Sequence, residues 1–443
     1  MDFARKVIIV FLIIFNFRIP GFYNSTVLCI VLCLGYYAFF RKSLPFRFFF
    51  YRYVVVALGG LLAITVLSYC IVQFYGTYDY SLIKIFFLQI LMMVALVFAF
   101  PLLLSEEEGS QSFEEVGSIL CHTFFLQGLI QITGFTVPAV GDFLISIRSE
   151  ASQQQLMNDV YNTYFRGYCL CGQPFFELPA GYGLVFITFF KLLSLRGRRW
   201  ISTQKAVMMF PVFLAGSIMS GRTAFVGLGM GVILCFFLFP DWIKLIGVAL
   251  KYALVYTLLG GVIYVFMLSP TQKNKLLNDV FPFAFEAFYN FRDTGKFSTT
   301  SSDVMIEKHY FPLSYETLVH GDGRYDNPDG TYYRGTDAGY MRYVLFGGVP
   351  FQLCMVVYVL LFFSWPLRLS FYGGSREDRA DFLYFLTLLL HLFVINYKGT
   401  AMGSMNNMQV LLLLLGMGYM MRYYYYHSPD SGLHRVRASR QLT

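Results

Sequence analysis

Ser220-Gly221-Arg222-Thr223 interrupts two long apolar runs. A helix starting near Gly221 would aim its free N–H groups and the positive end of its dipole outward, beside the arginine. Guanidinium adds a fixed fork of donors that matches phosphate oxygens. Arg222 is therefore expected to open an apolar span and to hold a diphosphate. The ordinary alternative is an interfacial arginine that snorkels to lipid headgroups.

Other polar groups gather in two stretches. Arg166-Gly167 precedes Gln173-Pro174 and Glu177-Leu178-Pro179-Ala180, where another apolar run begins. Glu177 could pair with an arginine or accept a sugar hydroxyl; it could equally be a carboxylate placed by the helix dipole. Pro174 and Pro179 suit a chain entering a helix. Further on, His320, Asp322, Arg324 and Tyr325 are followed by Tyr332, Tyr333, Arg334, Thr336, Asp337, Tyr340 and Arg342. Asp337 and Tyr340 are expected on one face of a helix start, with Thr336 or Asp337 as its N-cap. Tyr325, Tyr332, Tyr333 and Tyr340 could stack on sugars, although interface tyrosines are common in membrane proteins. His320 is the favoured general base because it adjoins this cluster, with His309 competing and Asp322 a second candidate. No spacing suits a metal, so no metal site and no cofactor are expected.

These residues must be positioned by membrane helices. Of 443 residues 57% are hydrophobic and only 14% are charged. The apolar runs are continuous rather than alternating, which favours helices over a barrel. About 12 spans are expected, near 5–19, 22–40, 53–75, 81–104, 114–135, 178–195, 205–220, 222–240, 243–268, 338–365, 381–398 and 404–421. The fold class is all-α, one polytopic bundle over 1–443. Residues 1–40 could be one broken span or two. Arg5 and Lys6 precede an apolar stretch without a small-residue cleavage site, so the first span is expected to be uncleaved.

Charge orients the bundle. The net charge of +8 reflects Arg41, Lys42, Arg47 and Arg52, then Arg196, Arg198, Arg199 and Lys205, then Arg368, Arg376 and Arg379, then Arg422, Arg435, Arg437 and Arg440. These occupy alternate loops, which places both termini in the cytoplasm. No nucleic-acid partner is implied. One inner loop, Glu106 to Glu115, is acidic, which the rule permits. Two long outer loops, 136–177 and 270–336, are expected to be functional, the second as a cap of short helices. Phe281 to Phe291 has the aromatic content to lie against the bilayer surface. Gly227, Gly229 and Gly231 read as close helix packing rather than a dinucleotide loop. The eight cysteines form no disulfide framework.

The order of these features resembles the O-antigen polymerase (Wzy-type) and O-antigen ligase superfamily. It is carried by Arg166-Gly167, Pro-x-x-Glu-x-Pro-Ala across 174–180, Ser-Gly-Arg-Thr at 220–223, the large second loop, and Asp337, Gly339 and Tyr340 before Gly347-Gly348. The resemblance implies an inverting glycosyltransferase of the GT-C class, acting at the periplasmic face on undecaprenyl-diphosphate-linked glycans. Arg222 would contact the lipid diphosphate. Arg166 and Glu177 match the polar residues before the helix entry. His320 sits where ligases carry a functional histidine, but Gly321-Asp322 after it departs from the ligase pattern.

The expected activity is metal-independent polymerisation of a polysaccharide, O-antigen or related, in a bacterial inner membrane. The growing chain on its lipid is the donor, and a new lipid-linked repeat is the acceptor. His320, Asp322 or Asp337 would be the base, with Arg166, Arg324 or Arg334 helping Arg222. Expected partners are both lipid-linked oligosaccharides, membrane lipids and a chain-length regulator protein. The alternatives are a ligase acting on lipid A-core, and a flippase or transporter, which should bury charge along a pathway. A receptor would bind without turnover.

Overall fold

The computed structural model describes residues 2–21, 23–41, 46–103, 112–148, 153, 156, 163–194, 203–239, 242–266, 268–403 and 406–427. Lys42, Glu106, Arg196, Arg198, Arg199, Arg435, Arg437 and Arg440 lie outside the described residues. Among the described residues the regular structure is helical, and the extended pairing is one isolated bridge, Asp326 to Tyr332.

Each expected apolar run forms a helix. They are α1 (Asp2–Phe15), α2 (Ser25–Tyr36), α3 (Arg52–Tyr75), α4 (Ser81–Leu103), α5 (Ser112–Thr136), then, after the short α6 (Pro138–Ser146), α7 (Glu177–Ser194), α8 (Thr203–Ser220), α9 (Ala224–Leu238) and α10 (Trp242–Phe266). Short helices follow: α11 (Pro270–Lys275), α12 (Phe281–Ala284), α13 (Glu286–Thr294), α14 (Thr300–Val304) and α15 (Tyr315–His320). The chain returns to long apolar helices in α16 (Gly339–Tyr372), α17 (Arg376–Lys398) and α18 (Asn406–His427). Among the described residues five helices are long and apolar enough to cross a membrane: Arg52–Tyr75, Ser81–Leu103, Phe113–Thr136, Gly339–Tyr372 and Arg376–Lys398. The chain is a multi-pass membrane protein.

Residues 1–40 make two helices, not one broken helix. Asn24 caps α2 by accepting from the Val27 amide at 2.9 Å. Ser25 Oγ donates to the Leu12 carbonyl at 2.7 Å, tying α2 back to α1. The start of α17 also differs from expectation, because a capping box between Ser375 and Asp378 draws the helix back to Arg376.

Glycines set two close approaches. A Cβ on Gly227 of α9 would lie 2.2 Å from the Gly183 Cα of α7, and one on Gly231 would lie 2.5 Å from the Phe190 ring. These helices touch backbone to backbone, as small residues permit. Gly229 faces open space. In α16 the helix breaks at Gly347 and Gly348, the latter at φ 71°. The loop after α15 docks there: the Asp322 amide donates to the Leu345 carbonyl at 2.6 Å and the Gly323 amide to the Phe346 carbonyl at 3.0 Å.

The two long loops share one end of the bundle. Leu144, Phe165 and Tyr168 of the first pack with Val280 of the second and Met219 of α8. Gln272 donates to the Thr136 carbonyl at 2.5 Å. At the opposite end a set of charges is paired, and all of these but Glu377 are buried. Lys6 meets Glu115 at 2.5 Å, and Lys191 meets Asp381 at 2.8 Å. Arg422 meets Glu377 at 2.9 Å, Glu114 at 3.3 Å and Asp381 at 3.4 Å.

Candidate functional site

Arg222 sits in the turn between α8 and α9 rather than at the first helical position. The Phe225 amide donates to the Arg222 carbonyl at 3.0 Å, and α9 begins at Ala224. The side chain is 18% exposed and pairs with Glu286 at the start of α13. Its guanidinium lies 4.7 Å from the centre of the Phe283 ring. Arg166 lies over the same ring at 5.5 Å and over Phe175 at 5.0 Å. Its Nε donates to the Ser220 carbonyl at 2.8 Å, and Nη2 donates to the Phe175 carbonyl. Arg166 thus fixes the turn that carries Arg222 and adds charge beside it.

A third cation joins them. Lys398, the last residue of α17, is half-buried within electrostatic reach of Arg222, Arg166 and Asp337. Sequence reasoning missed it. The available signal was a lysine at the loop end of an apolar helix, where the positive-inside pattern leaves such charges scarce. Asp337 lies two residues before α16, so it does not share a helical face with Tyr340. The N-cap is Ala338, and Thr336 Oγ1 accepts from the Ala338 amide at 3.3 Å.

The histidine that faces Asp337, among the described residues, is His309 and not the favoured His320. His309 Nδ1 lies 3.4 Å from Asp337 Oδ1. Thr336 Oγ1 donates to the His309 carbonyl at 3.0 Å, and the Tyr310 ring stacks on Tyr397 at 4.6 Å. These contacts dock the His309 turn on the end of α17, next to Lys398. Burial, then Tyr397, Tyr340 and Asp337, push the Tyr310 phenol up. His320 is exposed at the end of α15, where its carbonyl accepts from Tyr75 at 3.1 Å.

The rest of the expected cluster forms a separate knot. Asp322 accepts from Thr317 at 2.8 Å and Tyr333 at 3.2 Å, and pairs with Arg334 at 3.1 Å. A carboxylate so fully engaged is a poor general base. Tyr325 is 2% exposed, with Arg342 3.5 Å above its ring and its hydroxyl on Thr400 at 3.3 Å. It is a core residue, not a sugar platform. Tyr340 donates to the Phe393 carbonyl at 2.9 Å, inside the helix packing. Tyr332 is 47% exposed, with Arg342 on one face. Arg324 is half-buried in the same loop.

Asp79 anchors this knot by accepting from the amides of Tyr325 at 2.5 Å and Asp326 at 2.8 Å. Burial opposes its ionisation, but the bonds from Asp326, Ser81 and Tyr325 prevail and hold its carboxyl below the usual value. Glu177 is 8% exposed in the first turn of α7 and lines a cavity with Arg148 and Cys169 to Gln173.

Arg222 pairs with Glu286 beside Arg166, Lys398 lies within electrostatic reach of both arginines and of Asp337, and His309 stands beside Asp337. With three cations against two carboxylates, such a site favours an anion next to a proton acceptor. No family model, no curated protein and no solved structure matches the chain.

Proposed function

We propose that the chain is a polysaccharide polymerase of a bacterial inner membrane, resembling the Wzy-type O-antigen polymerases. In this reading it has about 12 spans and both termini in the cytoplasm. The observation that carries it is the pairing of Arg222 and Arg166 over Phe283, with Lys398 within electrostatic reach of both and of Asp337, and His309 beside Asp337. The donor is the growing glycan on undecaprenyl diphosphate, and the acceptor is a lipid-linked repeat. The acceptor hydroxyl loses its proton to His309, oriented by Asp337, and attacks the anomeric carbon. The bond from that carbon to the diphosphate breaks on the opposite face, giving inversion. The departing diphosphate takes up negative charge, which Arg222 and Lys398 stabilise.

A lipid-linked glycan flippase is the second reading, favoured by the buried charges Lys191, Asp381 and Arg422 and by His391 inside α17. Against it, those three charges are paired at one end rather than spread along a path.

The test is deletion of the gene in its host, with complementation by wild type, Arg222→Ala and Arg222→Lys, reading surface lipopolysaccharide by gel. A polymerase leaves lipopolysaccharide with one repeat and no ladder, and neither variant restores it. Loss of every repeat with long lipid-linked chains in the periplasm identifies a ligase instead. Loss with precursors held in the cytoplasm identifies a flippase. Full ladders from both expressed variants overturn the diphosphate clamp.

A further inference from the structure

A cavity of about 580 Å³ opens at the loop end between the α1–α2 turn, α6 and the segment 169–173. Ligand sites span roughly 300–1,000 Å³. Its floor is apolar: Leu88, Leu144 and Phe15 line it. Leu88 is seven residues into α4, so the floor reaches about 10 Å below the helix end at 1.5 Å per residue.

The rim is charged and built. Arg148 is 7% exposed and donates to the carbonyls of Gly167 at 2.8 Å, Cys169 at 2.8 Å and Cys171 at 3.1 Å. Its charge is thereby fixed in the wall without motion. Arg18 brings a second, exposed guanidinium, and Glu177 one carboxylate. The Gly172 amide donates to the Phe15 carbonyl at 2.8 Å, which closes the wall against α1. Apolar depth under a cationic rim matches a lipid with an anionic phosphate head.

We infer that this cavity is a second lipid-phosphate site, which holds the polyprenyl diphosphate of the acceptor. The inference rests on the polymerase reading, in which two lipid-linked substrates must be held at once. One segment contributes to both sites. Arg166 faces the Arg222 side, while Cys169, Cys171 and Glu177 face the cavity. The two lipid heads would therefore be held along residues 166–177, close enough for their glycans to meet.

Native mass spectrometry of the purified full chain, titrated with undecaprenyl diphosphate, counts the bound lipids. Wild type should bind two. Leu88→Trp, which fills the floor, should bind one, and Arg18→Glu, a surface change that spares the core, should weaken the same lipid at least tenfold. Phosphatidylglycerol should not displace it. The proposal is overturned if wild type binds one lipid that both variants keep, or if phosphatidylglycerol displaces the second lipid equally well. Arg222→Ala reads the other site. If Arg222→Ala still binds two lipids while Leu88→Trp loses one, the donor clamp fails and the cavity assignment stands.

Discussion

Arg222 and Lys398 have the same charge but different expected weights. Arg222 presents a planar fork at a turn fixed by Arg166, whereas Lys398 is a point charge at a helix end. Arg222→Ala should therefore cost about 10²–10³-fold in the rate of chain extension, the loss seen when one transition-state donor is removed. Arg222→Lys should recover little, and Lys398→Met should lose less than Arg222→Ala. Extension assayed with purified lipid-linked repeat checks the order. The histidines separate more sharply. His309→Ala should lose about 10²-fold or more as the removal of a general base does, while His320→Ala should stay within a few fold. The reverse order would return the base to His320. The break at Arg222 was legible because Ser220 to Thr223 interrupts two apolar runs in plain sight. The partners of that arginine were not. Glu286, His309 and Lys398 meet Arg222 and Asp337 only after the loops fold over the bundle, and no periodicity announces such contacts.

At the scale of elements, α13 acts on the site through Glu286. Its carboxylate pairs with Arg222 and also accepts from the Thr300 amide at 2.8 Å, so it occupies a guanidinium that a phosphate would use. Phe288 and Phe291 of this helix, and Phe297 just after it, are 63%, 56% and 66% exposed, giving the segment an apolar outer face suited to a lipid surface. Glu286→Gln should lower the KM for donor about tenfold, equivalent to ~1.4 kcal/mol, because a competing anion is gone. A raised KM would mean that Glu286 positions Arg222 instead. The Asp79 knot responds to pH. Its depressed carboxyl stabilises the loop above the unfolded value of 3.8 and loses that contribution as pH falls through the lower folded value. Asp326 moves the other way, raised by burial against the pull of Arg342, and takes up its proton first. Hydrogen exchange at the Tyr325 and Asp326 amides should therefore stay slow down to about pH 4 and quicken below it. Asp79→Asn should show fast exchange already at neutral pH. The helices themselves were readable from continuous apolar runs. Their ends were less so: Asp337 fell outside α16 because the cap is Ala338, a residue with no capping side chain.

Across the whole molecule the charges separate by task. Arg166 and Arg222 at the loop end are partly exposed and converge on one aromatic ring, while Lys6, Glu115, Lys191, Asp381, Glu114 and Arg422 at the other end are buried and tie α1, α5, α7, α17 and α18 together. Asp381 and Lys398 share α17 but stand 17 residues apart, about 25 Å along the axis. Over that distance in a helix packed on both sides, a change at one end should leave the chemistry at the other intact. Arg422→Met strips a cation from Glu114, which is 0% exposed, and leaves Asp381 to Lys191 alone. Breaking a buried ion pair from one side costs about 3–5 kcal/mol, because the remaining charge keeps its desolvation without its partner. The variant should unfold at lower temperature in detergent, and a second change, Glu114→Gln, should restore part of the loss. Extension per folded molecule should equal wild type in both. A flippase that moves its charges during transport makes the opposite forecast: activity per folded molecule would fall even where the second change restores stability.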